Sequence, residues 1–359
     1  MNLESFKKSN NDLLNWFNDN RRAMPWRKNP SLYRVWISEI MLQQTKVEQA
    51  TPFFNKWIKT FPTLKSLTNA SEQQILKAWE GLGYYSRARN IYKSAQIIKK
   101  QYKGRFPRDP SAIESLPGIG TYTKAAICSI SLNLDFAVLD GNVMRVLARY
   151  FCIEKNIDKS KTQRFLQNII DELLPKGRAG EFNEAIMELG ALICKPNNPK
   201  CYTCPIKKNC KSRISDKVLS YPLKNKKNKI PHLIVGAAVI KDPKKGFLIA
   251  QRNKNKMLGG LWEFPGGKKE KKESIKECII RELKEELNIK INIGSKISKF
   301  NHVYSHFSIE LHAYHADILE GRPKGMEGQL FKWVKLKDIK KLPYSKVDLK
   351  IIDALENPK

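Results

Sequence analysis

Apolar positions recur with a helical period through residues 1–222, and proline and glycine residues interrupt the pattern. A period near 3.6 places apolar side chains on one face of a helix, where they can form a core. The clearest stretches are 35–57, 73–79, 88–99, 123–132 and 143–151. We therefore predict an all-α domain over residues 1–222.

The pattern changes after a polar segment, 223–230, in which lysine occurs four times and which is typical of a linker. Beyond it, 233–240 and 247–251 are apolar runs of strand length that flank an Asp-Pro-Lys-Lys-Gly turn. A helix is predicted at 274–287, alternating strands follow up to residue 318, and a final helix is predicted near 348–355. This pattern therefore predicts a second domain of the α/β (α+β) class over residues 231–359.

The chain carries 66 lysine and arginine residues against 35 acidic ones, a formal net charge of +31. Such a balance attracts polyanions, of which nucleic acid is the commonest. A lysine-rich surface encoded by an AT-rich genome would give the same charge, so the charge favours nucleic acid without identifying it.

The N-terminus lacks the apolar core of a secretion signal, and no run of eighteen apolar residues occurs. Both observations argue against export and against membrane insertion. We expect a monomeric, cytoplasmic protein, associated with the nucleoid when it is bound to DNA.

Four cysteines lie close together, in the pattern Cys194-x6-Cys201-x2-Cys204-x5-Cys210, whereas the other three are scattered. Because cytosolic thiols stay reduced, this spacing predicts one metal centre rather than disulfides. Thiolates hold both structural zinc and iron–sulfur clusters. Zinc sites usually present two short Cys-x(2–4)-Cys pairs and this loop has one, yet both metals remain open at this point.

A Leu-Pro-Gly-Ile-Gly segment at 116–120 lies between two helical patterns, within 111–133. Gly118 and Gly120 allow a tight turn with positive φ, and backbone N–H groups at the following helix start can bind phosphate. An ordinary helix–helix turn would have the same dipeptides. The segment alone is thus compatible with DNA binding without requiring it.

Two acids stand in notable positions. Asp140 follows an apolar run and precedes a helix, where an N-cap aspartate is common and where the helix N-terminus favours its ionised form. Glu39 is the one acid in an otherwise apolar helical stretch, which is either a solvent-facing position or a pocket-facing one. In a pocket, burial would keep Glu39 protonated. A protonated acid beside an ionised carboxylate is the combination that hydrolyses glycosidic bonds.

Four segments, 24–27, 38–45, 81–90 and 139–143, resemble the adenine DNA glycosylases of the MutY type. The cysteine spacing likewise resembles the loop that holds a 4Fe-4S cluster in the endonuclease III superfamily, at 194–210 here. The resemblance implies an all-α helix-hairpin-helix glycosylase that removes adenine opposite 8-oxoguanine or guanine from double-stranded DNA. It also implies that the four cysteines bind a 4Fe-4S cluster.

The resemblance further implies roles for single residues. Glu39 corresponds to the general acid that protonates adenine, and Asp140 to the carboxylate that stabilises the sugar cation. The remaining correspondences are to residues that line the adenine pocket (Trp26, Arg27, Tyr122, Asn142, Glu184) and residues that bind DNA (Gln44, Tyr84, Gly118, Gly120).

Tyr122 distinguishes this chain from the endonuclease III type, which carries a lysine at that position and forms a Schiff base with the sugar. Lys124, two residues on, points to a different helix face. We therefore predict base removal without efficient strand cleavage. The alternative is an endonuclease III-like glycosylase for oxidised pyrimidines.

Residues 267–289 follow the spacing of the Nudix box, with Asn288 in place of the usual glycine, and resemble the MutT-type pyrophosphatases. Glu282, Glu285 and Glu286 share one helix face, which is suited to Mg²⁺. The resemblance to the MutY family implies that this domain recognises 8-oxoguanine, through the triplet Tyr304, Ser305 and His306. A nucleotide-pool pyrophosphatase and a non-catalytic DNA-binding module are the alternatives.

Overall fold

The structure is a computed structural model that describes residues 2–225, 230–304, 306–326 and 329–357. The chain forms two compact units, one of Met1–Thr68 with Lys93–Lys227 and one of Asn69–Tyr92 with Asn228–Lys359. The contacts thus group Asn69–Tyr92 with the C-terminal residues, whereas the predicted boundaries run linearly along the sequence.

Helices account for most of the first 222 residues, in agreement with the apolar periodicity. In chain order they are α1 (Glu4–Lys7), α2 (Asn10–Asn20), α3 (Leu32–Leu42), α4 (Val47–Thr60), α5 (Leu64–Thr68), α6 (Glu72–Trp79), α7 (Ser86–Gln101), α8 (Pro110–Glu114), α9 (Thr121–Leu132), α10 (Gly141–Phe151), α11 (Ser160–Leu173), α12 (Ala179–Leu192) and α13 (Lys211–Ile214). The predicted helical stretch 35–57 is two helices, because the chain turns at 43–46, where Gln44 has φ 58°.

The first unit buries one large apolar core, to which α2, α9, α10, α11 and α12 contribute. Two glycines let α12 approach its neighbours closely. A Cβ at Gly180 would lie 2.7 Å from the Ser129 carbonyl oxygen of α9, and one at Gly190 would lie 2.6 Å from the Asn142 Cβ of α10. These contacts place α12 directly against the first turn of α10.

The second unit contains a mixed sheet. Its strands are β1 (His232–Asp242), β2 (Gly246–Gln251), β3 (Trp262–Glu263), β4 (Gly266–Lys268), β5 (Lys290–Val303), β6 (Ser308–Glu320) and β7 (Phe331–Val334). The order is β3-β2-β1-β6-β5, with β4 paired to β1 and β7 to β2. Strands β1 and β6 are parallel, and β5 is antiparallel to β6.

Helices cover both faces of this sheet, and the side chains of β1 alternate between two cores. Ala238 and Ile240 pack in one core with α14 (Ile275–Leu287), and Ala237 and Val239 pack in the other with α16 (Lys346–Glu356). A short helix, α15 (Leu336–Ile339), precedes α16. The predicted α/β domain is confirmed.

Helix α6 and the turn after it contact the C-terminal residues of the same unit. The Trp262 indole N–H donates to Gln73 Oε1 at 3.0 Å, and the Tyr344 N–H donates to Glu80 Oε1 at 2.8 Å. No helix within the described ranges is both long and apolar enough to cross a bilayer.

Candidate active site

Glu39 lies on α3 and faces inward. Its neighbours on the helix are apolar and buried, and Glu39 itself is 6% exposed. The Tyr122 hydroxyl of α9 donates to Glu39 Oε2 at 3.0 Å. The pocket-facing interpretation of Glu39 is therefore the one that the structure supports.

Burial, followed by the nearby negative charges of Glu184 and Asp140, raises the pKa of Glu39 to about 7. The Tyr122 hydrogen bond and the positive charge of Arg27 act in the opposite direction and limit this rise in pKa. A carboxyl group with such a pKa is partly protonated at neutral pH and can act as a general acid.

Asp140 is the N-cap of α10, as predicted. Its Oδ1 accepts from the Val143 N–H at 2.7 Å, and its Oδ2 accepts from the Asn142 amide at 2.9 Å. The N-cap position alone favours a low pKa, but burial outweighs it and raises the Asp140 pKa above its usual value, with the hydrogen bonds from Val143 and Asn142 opposing. The sequence-based expectation of a purely anion-favouring environment was therefore incomplete.

A cleft of about 1090 Å³ joins these residues. Its lining contains both predicted acids, all five predicted adenine-pocket residues, and one predicted DNA-binding residue: Glu39, Asp140, Trp26, Arg27, Tyr122, Asn142, Glu184 and Gln44. The lining does not include Tyr84, Gly118 or Gly120. These eight residues are spread over positions 26 to 184, more than a hundred residues of the chain, so their convergence is a property of the fold.

Glu188 and Arg22 are charged residues of the cleft that were not predicted, and they form an ion pair. Glu188 is 2% exposed and accepts from the Arg22 backbone N–H and Nε, both at 2.9 Å, and from the Arg22 NH2 nitrogen at 3.0 Å. Arg27 Nε donates to Glu184 Oε1 at 2.6 Å. Glu188 lies one turn after Glu184 on α12, and this spacing was the available sequence signal.

The helix-hairpin-helix segment has the predicted shape, with α8 before the turn and α9 after it. Gly118 has φ 84°, but Gly120 has φ −92° and caps α9. Of the two glycines, Gly118 alone uses the left-handed region, which corrects the expectation for Gly120. A Cβ at Gly120 would meet nothing within 4 Å, so this helix start is open.

Tyr84 lies in the second unit, in a turn whose glycines, Gly81 and Gly83, have φ 94° and 80°. Tyr84 itself has φ 49°, and its ring contacts His306 edge-on at 5.9 Å between centroids. Tyr304 stacks on Phe307 at 4.6 Å. Ser305, the central residue of the predicted triplet, lies outside the described residues.

The four clustered cysteines lie in the loop after α12 and are all free thiols. The Arg149 guanidinium organises the start of this loop, since it donates to the carbonyls of Lys195 and Pro196 and to Cys194 Sγ at 3.4 Å. Arg145 donates to the Cys194 carbonyl at 2.7 Å and also to Asn142 Oδ1 at 2.9 Å. Arg145 thus connects the cysteine loop with the residue that supports Asp140.

The predicted Mg²⁺ ligands, Glu282, Glu285 and Glu286, lie on α14, where Arg281 engages the first two. Arg281 pairs with Glu282 at 3.1 Å, with Glu285 at 3.0 Å and with Glu273 at 2.9 Å. In the described part of the chain, no three His, Cys, Asp or Glu side chains are grouped so as to hold a single metal ion. Arg281 therefore neutralises part of the negative charge that Glu282 and Glu285 would offer to Mg²⁺. The Mg²⁺ interpretation of the Nudix box therefore rests on its spacing alone.

Comparison with known proteins identifies relatives of both parts of the chain. Residues 37–172 match the HhH-GPD superfamily of base excision DNA repair proteins, and residues 236–354 match the NUDIX domain. The chain is 44% identical to the adenine DNA glycosylase of Buchnera aphidicola (subsp. Acyrthosiphon pisum) over 300 residues, 83% of each chain. It is 28% identical to that of Schizosaccharomyces pombe over 415 residues, 97% of this chain and 88% of the other.

Among solved structures, the chain resembles a thermostable thymine-DNA glycosylase. The TM-score is 0.54 at 29% identity, and the match covers 59% of this chain and 98% of the other. This likeness supports the helix-hairpin-helix glycosylase fold over the helical part of the chain.

Proposed function

Since the chain belongs to the adenine DNA glycosylase family, we propose that it hydrolyses the N-glycosidic bond of adenine opposite 8-oxoguanine or guanine in double-stranded DNA. The observation that carries this proposal is the convergence of buried Glu39 and N-capped Asp140 on one cleft. Glu39 supplies the proton and Asp140 the negative charge that the reaction requires. Such an enzyme would act on chromosomal DNA, in line with the predicted cytoplasmic location.

The protonated Glu39 donates a proton to the leaving adenine, and the bond between the base and the sugar then breaks. The proton lowers the negative charge that would otherwise develop on the base. Tyr122 holds Glu39 in place through their hydrogen bond. Below a pH of about 7, the larger part of Glu39 is in the form that can act.

The ionised Asp140 stabilises the positive charge that develops on the sugar and helps to position the attacking water. Its two hydrogen bonds fix the orientation of the carboxylate before the reaction, so little reorganisation is needed. Asn142 is itself held by Arg145. This chain of contacts keeps the anion at the cleft wall.

The same geometry supports base removal without strand cleavage. Tyr122 has no amine with which to attack the sugar, and the Lys124 amine is paired with Glu114 at 2.8 Å. An endonuclease III-like reaction needs an amine within the pocket. We therefore infer that the product is an abasic site in an intact strand.

Adenine reaches the cleft by extrusion from the duplex, which costs a few kcal/mol of lost stacking and pairing. We infer that Gln44 and Tyr84 enter the base stack, because both lie in turns with left-handed backbone. The N–H groups after Gly118 and Gly120 would bind phosphate at the open start of α9.

We propose that Cys194, Cys201, Cys204 and Cys210 hold a 4Fe-4S cluster. Four free thiols in one loop organised by Arg149 fit such a group. When bound, the cluster would order the lysine-rich loop 195–208.

In the second unit, we propose that the loop between β5 and β6, with Tyr304, Ser305 and His306, contacts the 8-oxoguanine opposite the adenine. The ring contact of His306 with Tyr84 supports this role. Because Arg281 pairs with Glu282 and Glu285, two of the three predicted Mg²⁺ ligands, we do not propose pyrophosphatase activity for this domain.

Release of free adenine from duplexes with adenine opposite 8-oxoguanine, guanine or thymine tests the proposal. We expect release from the first two, little from the third, and none with Glu39→Gln. Borohydride trapping should give no covalent adduct. Failure of the wild-type protein to release adenine from the 8-oxoguanine duplex would refute the assignment.

A further inference from the structure

Glu188 is a buried acid beside the proposed active site that contacts none of the groups assigned to the reaction except Arg27. It lies on α12 and is engaged by two arginines. Arg22 approaches it with its backbone N–H and two guanidinium nitrogens, at 2.9–3.0 Å. Burying a carboxylate is costly unless it is paired, so this arrangement calls for a role.

Arg27 is the second arginine at Glu188. Its NH2 and NH1 nitrogens lie 3.4 and 3.5 Å from the two Glu188 oxygens, while its Nε lies 2.6 Å from Glu184. NH1 also donates to the Arg22 carbonyl at 3.1 Å, and the guanidinium lies 5.2 Å from the Phe17 ring. The guanidinium of Arg27 therefore bonds to Glu184 and Glu188 of α12 and to the Arg22 carbonyl.

Four charged or titratable groups of the same cleft act on the ionisation of Glu39. They are Tyr122 on α9, Asp140 at the start of α10, Glu184 on α12, and Arg27 in the segment before α3. Arg27 is the one cation among them. Its charge favours the ionised form of Glu39, so the position of Arg27 affects whether Glu39 keeps its proton.

We propose that Glu188 is a positioning residue that holds Arg27 against α12 and so prevents it from forming an ion pair with Glu39. With Glu188 in place, Arg27 has two acidic partners on one helix, Glu184 and Glu188. Without it, the guanidinium keeps one partner and is free to share its charge with Glu39. The consequence for activity depends on the proposed function, whereas the effect on Glu39 ionisation does not.

Glu188→Gln tests this role because it removes the charge and keeps the shape. Single-turnover adenine release would be measured from pH 5.5 to pH 9 for this variant and for wild type. We expect the alkaline limb to move to lower pH by about one unit, with a rate about half that of wild type at pH 6 and about tenfold lower at pH 8. An equal loss at every pH would show a purely structural role and overturn the proposal.

Two further variants control for charge and for folding. Glu172→Gln removes the same charge from an exposed position on α11 and should leave the profile unchanged. The double variant Arg22→Gln with Glu188→Gln also removes the Arg22 cation, which loses its partner Glu188 in the single variant. It is the variant to measure if Glu188→Gln alone does not fold. A folded double variant whose alkaline limb matches wild type contradicts the proposal.

A measurement independent of activity separates the two proposals. ¹³C NMR of labelled glutamate carboxyls, with Glu39 assigned from the Glu39→Gln spectrum, follows Glu39 ionisation directly. We expect Glu39 to ionise at lower pH in Glu188→Gln than in wild type. If wild type released no adenine, the proposed function would fail, while this titration would still decide the role of Glu188. An unchanged Glu39 titration would refute that role.

Discussion

The phenolic hydroxyl of Tyr122 donates to the buried carboxyl of Glu39 at 3.0 Å, although 83 residues separate the two in the chain. The bond opposes the effect of burial, because a donor stabilises the ionised carboxylate. The tyrosine therefore limits how far the pKa of Glu39 can rise. Tyr122 also stands at the position where the endonuclease III type carries a lysine, whose amine forms a Schiff base with the sugar.

Tyr122→Phe should shift the pH profile of adenine release in the direction opposite to Glu188→Gln. Removing the hydrogen bond raises the pKa of Glu39, so the alkaline limb should move to higher pH, by roughly half to one unit for a bond of about 1 kcal/mol. The maximal rate should fall because Glu39 is less well oriented. A limb that stays in place would show that Tyr122 does not affect Glu39 ionisation.

Glu39→Gln should change the pH dependence of stability. Since the pKa of Glu39 is raised by folding, from 4.5 to about 7, the native state binds the extra proton between these values. Stability should therefore decrease as pH rises through this window, by roughly 3 kcal/mol at most for this group. Urea unfolding at pH 5 and pH 8 measures this difference.

The variant should lose less stability than wild type between the two pH values. Comparing the two proteins at each pH isolates Glu39, because Asp140 is common to both and its contribution cancels. Glu172→Gln serves as the charge control and should follow wild type. Equal pH dependence in wild type and Glu39→Gln would mean that Glu39 is not protonated in the native state at pH 5 to 7.

Asp140 has a structural and a proposed chemical role, and two substitutions separate them. Asparagine can still accept from the Val143 N–H, so Asp140→Asn should keep the N-cap and lose the charge. Adenine release should fall by about 10² to 10³, in the range seen when one stabilising group is removed from an active site.

Asp140→Ala removes the N-cap as well and should cost a further ~1 kcal/mol of stability. Thermal unfolding of both variants alongside single-turnover rates gives the comparison. If Asp140→Asn released adenine at the wild-type rate, the proposed role of the charge would be wrong.

The proposed cluster makes a compositional prediction. Purified protein should contain about four irons and four sulfides per chain, with visible absorption, and Cys204→Ser should lose both. Cys152→Ser, outside the loop, should retain them. One zinc per chain with no iron would instead support the zinc alternative.

Local signals in the sequence predicted much of the fold. The Asp140 N-cap and the helix predicted at 274–287 depend on neighbouring residues and were confirmed, the helix as α14 with Ser274 as its N-cap. The break between α3 and α4 escaped prediction because no proline or glycine marks it, and Gln44 adopts a conformation that few side chains favour.

Site residues were predictable where the resemblance to a family supplied them. They were not predictable where contacts between distant segments determine which side chains meet. Apolar periodicity could not show whether Glu39 faces solvent or a pocket, since both fit one acid on an apolar helix. The Arg22–Glu188 pair joins residues 166 positions apart, and no local pattern links them. Burial, which sets the direction of the Asp140 pKa, likewise arises from packing of distant segments.

Arg145 gives the molecule a shared support, because one guanidinium bonds to Asn142 Oδ1, to the Gly190 carbonyl at 2.7 Å and to the Cys194 carbonyl. Asn142 at the wall of the cleft and Cys194 at the start of the cysteine loop are therefore both hydrogen-bonded to the guanidinium of Arg145. Asn142 in turn donates to Asp140 Oδ2 at 2.9 Å, so two hydrogen-bonding residues connect the Cys194 carbonyl with the acid. A displacement of the Cys194 carbonyl would remove one of the contacts that fix Arg145 beside Asn142.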